Sequence, residues 1–125
     1  TAGSGAVVMI ASVAGKAGEN GLALYTASKA ALIGLTKSLA LEIGPQVRIN
    51  AVCPGQIETR MMGRTLSLPG RRALLTARIP MGRLGLAEDV AEATVWLISP
   101  RSGYVSGDVI TVDGGETAGL MVSED

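Results

Sequence analysis

Three short apolar runs along the chain predict buried β-strands. Residues 6–11 and 47–52 are rich in β-branched and other apolar side chains, which is typical of strands buried on both faces of a sheet. Residues 109–112 form a third, shorter run. Glycine, proline or small polar residues follow each run, so each strand is expected to end in a loop, the first of which spans residues 12–21.

Two stretches between the predicted strands have the periodicity of helices. From residue 22 to residue 43, Leu32, Leu35 and Leu39 recur three and four positions apart, and a Gly-Pro pair then stops the helix. From residue 86 to residue 99, two acidic residues lie in the first turn, apolar residues follow at helical spacing, and a proline stands just past the end. Both segments are therefore predicted to be helices.

A polar segment separates the second strand from the second helix. Residues 60–78 contain a Pro-Gly pair and five of the eight arginines of the chain. This composition predicts short helices with mobile joints. We expect the segment to form a flap over a neighbouring site.

The alternation of strands and helices predicts an α/β fold. Strand, helix, strand, helix, strand is the order expected for parallel strands joined by right-handed crossovers. In such sheets ligands bind at the carboxyl ends of the strands, where this sequence places Ser12, residues 54–59 and residues 113–115. Strands buried on both faces usually have neighbours on both sides, so three strands are expected to be part of a larger sheet.

Composition excludes several kinds of chemistry. The 125 residues include no histidine and a single cysteine, Cys53, which rules out His-based nucleophile systems, His-ligated metal sites and an internal disulfide. The net charge is zero and only three residues are aromatic, so nucleic acid is not an expected partner. No apolar run approaches the ~18–20 residues that span a bilayer. We therefore expect no metal, no membrane association and a reducing, cytoplasmic location.

Tyr25 and Lys29 are the first candidates for catalysis. They lie four positions apart near the start of the predicted long helix, so both side chains are expected on one face, one turn apart. A positive charge within about 4–6 Å lowers the pKa of an acid by roughly 1–3 units, which would bring a tyrosine toward the range of a general acid or base. By itself the pair is also compatible with an exposed tyrosine and a solvated lysine.

Ser12 strengthens the catalytic interpretation. It follows the first predicted strand, where its hydroxyl could donate a hydrogen bond to a substrate carbonyl oxygen beside the Tyr25 hydroxyl. The alternative is a turn residue that bonds its own backbone. A Ser-Lys hydrolase, using Ser12 with Lys16 or Lys29, is the one hydrolytic option in a chain without histidine.

Several further segments accompany Ser12 and the Tyr25-Lys29 pair. The whole set is Ser12, residues 25–29, residues 50–59, residues 80–85 with residues 88–90, and residues 104–107 running into residues 112–115. Together these segments resemble the short-chain dehydrogenase/reductase family, in whose order and spacing they occur over nearly the whole chain, and as a set they are highly specific. Within the family, the sequence most resembles the 3-oxoacyl-carrier-protein reductases and the sugar and alcohol dehydrogenases.

The resemblance implies an NAD(P)-dependent oxidoreductase that transfers hydride between a nicotinamide cofactor, NAD or NADP, and a small-molecule carbonyl compound or secondary alcohol. In the family's pattern Tyr25 is the acid/base, Lys29 lowers its pKa and holds the nicotinamide ribose, and Ser12 steadies the substrate oxygen. Pro54 and Gly55 would let the backbone pass close to the nicotinamide. The implied cofactor-binding residues are Tyr25, Lys29, Pro54, Gly55 and, at the nicotinamide carboxamide, Ile57 and Thr59.

One part of the family's pattern is missing from this sequence. The glycine-rich turn that holds the cofactor phosphates does not occur. We therefore expect residues 1–125 to be the carboxyl-terminal portion of a single Rossmann-like domain, a doubly wound parallel sheet in three α/β/α layers, without the amino-terminal cofactor half. The piece alone is expected to be inactive, and a truncated, non-catalytic remnant that serves as a binding or structural module is the alternative.

Two further expectations concern partners. The arginines of residues 60–78 suit an acyl-carrier-protein-linked or anionic substrate, although a solvated surface explains them equally well. Ala27, Ala31, Gly34 and Ser38 form a small-residue side of the long helix that would suit close packing between subunits. The resemblance then implies a homodimer or a homotetramer.

Overall fold

The computed structural model describes residues 3–122, which form a three-stranded parallel sheet with helices packed against it. Each strand runs in the same direction as its neighbour, and the second strand of the chain is central. The predicted α/β class, with the parallel sheet of a Rossmann-like fold, is confirmed. The strands are β1 (Gly5–Ile10), β2 (Val47–Pro54) and β3 (Val109–Val112), in the order β1-β2-β3.

Strands β1 and β2 differ in burial although their sequences are similar. In β2, Ile49, Ala51 and Val52 are at most 1% exposed, and both faces are covered. In β1, Val7 and Ile10 remain 40% and 45% exposed. The prediction that β1 is buried on both faces is therefore wrong for the described residues. The reason is that β1 pairs with β2 on one side and has no strand on its other side in this part of the chain.

The two long helices lie where the periodicity predicts them, to within one residue at each end. The longer one contacts β1 and β2, and the last helix contacts all three strands. The flap consists of short helices, as predicted, and none of the described helices is long and apolar enough to cross a membrane. The helices are α1 (Val13–Lys16), α2 (Ala23–Ile43), α3 (Gly63–Leu66), α4 (Arg71–Thr76) and α5 (Ala87–Ile98), with 3-10 turns at Arg60–Met62 and Pro100–Ser102.

The loop predicted over residues 12–21 contains the short helix α1. Ser12 starts this helix because its side-chain oxygen accepts a hydrogen bond from the Ala14 N–H at 3.1 Å. Helix α1 lies tightly against α2, since a Cβ at Gly15 would be 2.8 Å from the backbone carbonyl carbon of Lys29. Glycine at this position therefore allows Ser12 to be held close to the first turns of α2.

Helix α2 leaves much of its apolar surface exposed. Thr36 is the buried residue of this helix, and its hydroxyl donates to the Leu32 carbonyl oxygen at 2.7 Å. Leu24 and Leu41 are 89% and 88% exposed. Leu35, part of the leucine repeat in the sequence, is also exposed. The repeat therefore predicts the helix correctly but does not mark its buried side.

A charged side chain near the amino end of β2 attaches the segment around the end of α5 to the sheet. Arg48 donates to the carbonyl oxygens of Leu97, Ser99 and Val105 at 3.0–3.1 Å and to the Ser102 hydroxyl at 3.2 Å. The last carbonyl groups of a helix carry the negative end of its dipole, so they suit a guanidinium group. No carboxylate in the described part of the chain pairs with Arg48. The sequence did not predict this arrangement.

Candidate active site

The carboxyl ends of β1 and β2 open onto one cleft of about 410 Å³. Parallel strands end at the same edge of a sheet, so residues that follow them come together there. The cleft is lined by every residue that the sequence analysis singled out as catalytic or cofactor-binding. These residues are Ser12, Tyr25, Lys29, Pro54, Gly55, Ile57 and Thr59.

Tyr25 and Lys29 occupy successive turns of α2 at the side of the cleft. Lys29 Nζ lies 5.6 Å from the centre of the Tyr25 ring and donates a hydrogen bond to the Ile10 carbonyl oxygen at 3.1 Å. The Tyr25 side chain is 41% exposed, and its hydroxyl has no hydrogen-bond partner among the described residues. The Lys29 charge is therefore anchored to the end of β1 and lies over the Tyr25 ring, while the Tyr25 hydroxyl has no partner among the described residues.

Ser12 caps α1 and also lines the cleft. Its oxygen accepts the hydrogen bond from Ala14, as the turn interpretation expects. A serine hydroxyl has one donor and two acceptor positions, so this bond leaves the O–H of Ser12 able to donate into the cleft. The capping role and the ligand-binding role are therefore compatible.

Gly55 has a packing role that the sequence analysis did not foresee. A Cβ at this position would lie 2.5 Å from the Asp113 Cβ, and the Gly55 N–H donates to the Val112 carbonyl oxygen at 3.0 Å. The turn after β2 is thus pressed against the turn after β3. Only glycine fits there, whether or not a ligand also approaches the backbone.

The turn after β3 is held by its own hydrogen bonds. Burial alone would raise the pKa of Asp113, but hydrogen bonds from the Thr117 hydroxyl and from the Thr117 and Gly115 N–H groups outweigh it and lower the pKa. Gly114 and Gly115 have φ angles of 64° and 91°, which favour glycine. This turn therefore forms a rigid support behind Gly55.

Ile57 presents unpaired backbone groups at the cleft. It forms a parallel bridge with Gly85, in which the Glu58 N–H donates to the Gly85 oxygen at 2.8 Å and the Gly85 N–H donates to the Gln56 oxygen at 2.9 Å. The N–H and C=O of Ile57 itself have no partner among the described residues. One donor and one acceptor side by side are what a carboxamide group needs.

Six apolar residues that line the cleft were not predicted as site residues, and two of them, Ile10 and Ala11, lie at the end of β1. Met61 and Met62 come from the flap, and Ala87 and Val90 come from the first turn of α5. Met61 is 87% exposed. The available signal was an apolar pair inside a polar segment, which suggests a binding surface more than a packed core.

Two ion pairs hold the loops that surround the cleft. Arg72 of α4 donates to both carboxylate oxygens of Glu58, at 2.5 and 3.1 Å, and this pairing lowers the pKa of Glu58. Arg83 donates to both oxygens of Asp89, at 2.8 and 3.1 Å. Together with a hydrogen bond from the Leu86 N–H, Arg83 lowers the pKa of Asp89 to about 2. The first pair joins the flap to the segment that follows β2, and the second joins the loop before α5 to the first turn of that helix.

Other nucleophiles and metal ligands do not gather at this site. Cys53 is buried in β2, and burial raises the pKa of its thiol. A thiolate nucleophile is therefore disfavoured there. Within residues 3–122, no group of three or more His, Cys, Asp or Glu side chains is placed to hold a metal ion.

Comparisons with known proteins agree on one group of relatives. The family model described as "Enoyl-(Acyl carrier protein) reductase" matches residues 1–117. The 3-oxoacyl-[acyl-carrier-protein] reductase of Thermotoga maritima is 46% identical over 114 residues, which are 90% of this chain and 45% of that protein. A Xanthobacter autotrophicus protein named inactive 2-(S)-hydroxypropyl-CoM dehydrogenase 2 is 43% identical over 119 residues, 91% of this chain and 52% of its own.

A solved structure shows the same fold over most of this chain. The gluconate 5-dehydrogenase of Burkholderia cenocepacia, in complex with NADP and tartrate, superposes with a TM-score of 0.88 at 29% identity and covers 94% of this chain and 46% of that chain. The chain thus spans about half the length of the relatives it matches.

Proposed function

The chain belongs to the short-chain dehydrogenase/reductase family, and on that premise we propose that the complete protein is an NAD(P)-dependent oxidoreductase. Its substrate is a small-molecule carbonyl compound or secondary alcohol. The observation that carries the proposal is the single cleft that contains Ser12, Tyr25 and Lys29 together with the turn after β2. We further propose that residues 1–125 are the carboxyl-terminal portion of one Rossmann-like domain.

The residues of the cleft fit the nicotinamide end of such a cofactor. The unpaired N–H and C=O of Ile57 suit the carboxamide, with the Thr59 hydroxyl near it on the same cleft wall. The Lys29 ammonium has donors left after its bond to Ile10, and these suit the ribose hydroxyls. The sequence contains no glycine-rich turn for the phosphates, so those contacts are assigned to the remainder of the complete protein.

The side chains of the cleft then divide the proton chemistry between them. When bound, the cofactor supplies or accepts the hydride at the carbonyl carbon. The Tyr25 hydroxyl gives its proton to the substrate oxygen during reduction and takes the proton back during oxidation. Lys29 stabilises the phenolate that Tyr25 becomes, and Ser12 donates a hydrogen bond to the same substrate oxygen. The bond from Lys29 to Ile10 keeps the charge in place.

An acyl-carrier-protein-linked substrate is a second version of this proposal. It is supported by the name of the Thermotoga maritima relative and by the exposed arginines Arg60, Arg64 and Arg71 around the flap. Docking of an acidic carrier protein would weaken as salt is added, because salt screens exposed charges. Activity on a carrier-linked 3-oxoacyl substrate that does not change with ionic strength would argue against it.

We also propose that copies of the protein associate through α2. Leu24, Ala31, Gly34 and Leu41 lie exposed along one face of this helix, and a Cβ at Gly34 would meet no atom within 4 Å. Small and apolar residues on an exposed helix face suit close helix packing between subunits. Sedimentation of the complete protein as a monomer at micromolar concentration would contradict this proposal.

Replacement of Tyr25 by phenylalanine tests the oxidoreductase proposal. In the complete protein, Tyr25→Phe should lower turnover of carbonyl compounds with NADH or NADPH by roughly 10²- to 10⁴-fold, because the proton donor is lost. Its melting temperature should stay unchanged, since the Tyr25 hydroxyl has no partner among the described residues. Tyr104→Phe is the matched control, because Tyr104 is the other tyrosine of the chain and is fully exposed. Near-normal turnover by Tyr25→Phe would disprove the assignment.

A non-catalytic binding or structural module remains the second candidate. It is favoured by one observation, the relative from Xanthobacter autotrophicus that is named as inactive. A complete protein that is folded but turns over no carbonyl compound or alcohol with either cofactor would support this candidate over the enzyme.

A further inference from the structure

Two further spaces lie beside the cleft, along the turn after β2. The first, of about 480 Å³, shares Ser12 and Tyr25 with the cleft and is also lined by Glu19, Gln56 and Arg78. These three residues also line the second, a space of about 210 Å³, which we call the distal pocket. Its lining is completed by Val13, Ala14, Ala17, Gly18, Glu116 and Thr117.

Glu116 is the unusual member of the distal pocket. Its side chain is 7% exposed, and among the described residues no group donates a hydrogen bond to either carboxylate oxygen. Arg78 Nη2 lies 3.0 Å from Oε1 but lacks the alignment of a hydrogen bond. Oε2 lies 3.6 Å from where a Cβ of Gly55 would stand, so the carboxylate borders the turn that lines the cleft. The ion pair with Arg78 thus leaves the hydrogen-bonding positions of this buried carboxylate unfilled, and a ligand with donors would fill them.

The charges around the distal pocket restrict what that ligand can be. Glu19 and Glu116 each carry one negative charge and Arg78 one positive charge, which leaves a net charge of −1. An anionic group would be repelled by the net charge, and an alkyl chain would bring no donor to Glu116. A cationic group would face the Arg78 guanidinium, which lies 3.0 Å from the Glu116 carboxylate and would repel it. Neutral hydroxyl groups can donate to Glu116 and can also bond with the Gln56 amide and the Thr117 hydroxyl.

We propose that the distal pocket binds the hydroxyl-bearing end of a neutral sugar or polyol whose reacting carbon lies at Tyr25. Glu116 is the acceptor for at least one substrate hydroxyl and is thus a specificity-determining residue. The inference rests on the proposed oxidoreductase function and adds the substrate class. Glu19, Gln56 and Arg78 line both spaces, so the distal pocket adjoins the space that contains Ser12 and Tyr25.

The test compares hydroxyl-rich and hydroxyl-poor alcohols with the complete protein. NAD+- and NADP+-dependent oxidation of D-sorbitol, xylitol and D-glucose is measured against that of cyclohexanol, for the wild type, Glu116→Gln and the control Glu92→Gln. Glu92 is exposed on α5 and does not line the distal pocket. Glu116→Gln should lower kcat/KM for the polyol probes by roughly 10-fold or more, mainly through KM, because a hydrogen bond to a charged group is lost. Oxidation of cyclohexanol should change less than about 2-fold.

The outcomes separate the inference from the function on which it rests. If the wild type oxidises cyclohexanol but none of the three polyol probes, the inference is wrong and the oxidoreductase proposal stands. If no alcohol or carbonyl compound is turned over with either cofactor, the oxidoreductase proposal fails and the inference falls with it. A parallel loss of melting temperature and of activity on all alcohols in Glu116→Gln would show that Glu116 only pairs with Arg78, which also overturns the inference.

A binding measurement gives a readout that does not depend on turnover. Saturation-transfer NMR with D-sorbitol should show contact with the wild type and with Glu92→Gln. The signal should fall strongly with Glu116→Gln. Equal signals for all three proteins would contradict the proposed role of Glu116.

Discussion

The polar side chains at the two ends of the central strand β2 differ in how many of their hydrogen bonds are formed within the protein. At the amino end, Arg48 donates four hydrogen bonds, and the fully buried Asn50 bonds two backbone groups at 3.0 Å. At the carboxyl end, Ser12, Tyr25 and Lys29 have at most one protein partner each and face the cleft. Polar groups whose hydrogen bonds are completed within the protein stabilise the fold. Groups with unused bonding positions are available to a ligand.

Two cations show this difference most directly. Arg48 and Lys29 both point their charge at backbone carbonyl oxygens. Arg48 uses four bonds in one network, whereas Lys29 uses one bond and keeps its other donors for the cleft. Replacement of each by methionine removes the charge while keeping a long apolar side chain. The pair therefore tests whether one end of β2 serves stability and the other serves chemistry.

We expect the largest effect from Lys29→Met. In the complete protein kcat should fall by roughly 10³-fold, because the phenolate of Tyr25 loses its stabilising charge and the ribose loses its contact. The melting temperature should change little, since Lys29 gives up a single hydrogen bond to Ile10. Steady-state kinetics and thermal unfolding measure the two quantities. A Lys29→Met variant that loses stability but has normal kcat when folded would contradict the assignment of this end of β2 to chemistry.

Arg48→Met should have the opposite effects, a loss of stability with nearly unchanged turnover. The free energy of unfolding should fall by about 2–3 kcal/mol, because backbone acceptors at the end of α5 lose a charged donor in a half-buried position. The turnover of the folded fraction should stay within about 2-fold of wild type, since Arg48 does not line the cleft. Urea unfolding and kinetics on the same preparation check both values. Lys37→Met, at an exposed position of α2, is the control for loss of a cation.

Asp89 provides a third test of the comparison between bonded and free polar groups. The expected effect on stability is smaller and depends on pH. It borders the carboxyl end of the sheet, yet both oxygens of its carboxylate already accept hydrogen bonds, from Arg83 and from the Leu86 N–H. Its pKa is lowered from 3.8 to about 2 in the folded protein. The contribution of the ionised carboxylate to stability is therefore present above about pH 4 and is lost as the pH falls through about 2.

Asp89→Asn should accordingly have a lower melting temperature than the wild type near neutral pH. The difference should shrink between about pH 4 and pH 2 and then disappear. Thermal unfolding at a series of pH values measures it. Glu88→Gln is the matched control, because Glu88 lies in the same turn without an ion-pair partner in the described part of the chain. A difference that persists unchanged at pH 2 would show that the paired charge is not its cause.

Much of the fold could be predicted because its signals are local. The bounds of α2 and α5 follow from periodicity and from residues that stop helices, and β3 was predicted at the observed residues. The burial of β1 could not be predicted in the same way. An apolar run indicates that a strand can be buried on both faces, but burial also depends on which strands lie beside it.

In the candidate site, too, the features that depend on local spacing were predictable and those that depend on distant residues were not. Tyr25 and Lys29 are one helical turn apart, so their proximity depends on α2 alone. The distal pocket was not foreseen, because Glu19, Gln56 and Glu116 come from three separate loops. No motif in the sequence connects them.

By itself, the sequence determined the order and type of the three strands and the two long helices, the absence of histidine chemistry and the spacing of the Tyr25 and Lys29 pair. The tertiary structure alone decided that Gly55 presses on Asp113 and that Arg48 reaches Ser102, 54 positions away. The physical reason is distance along the chain. Helical and strand periods are properties of neighbouring residues, whereas contacts between distant residues exist only once the sheet and its helices have packed.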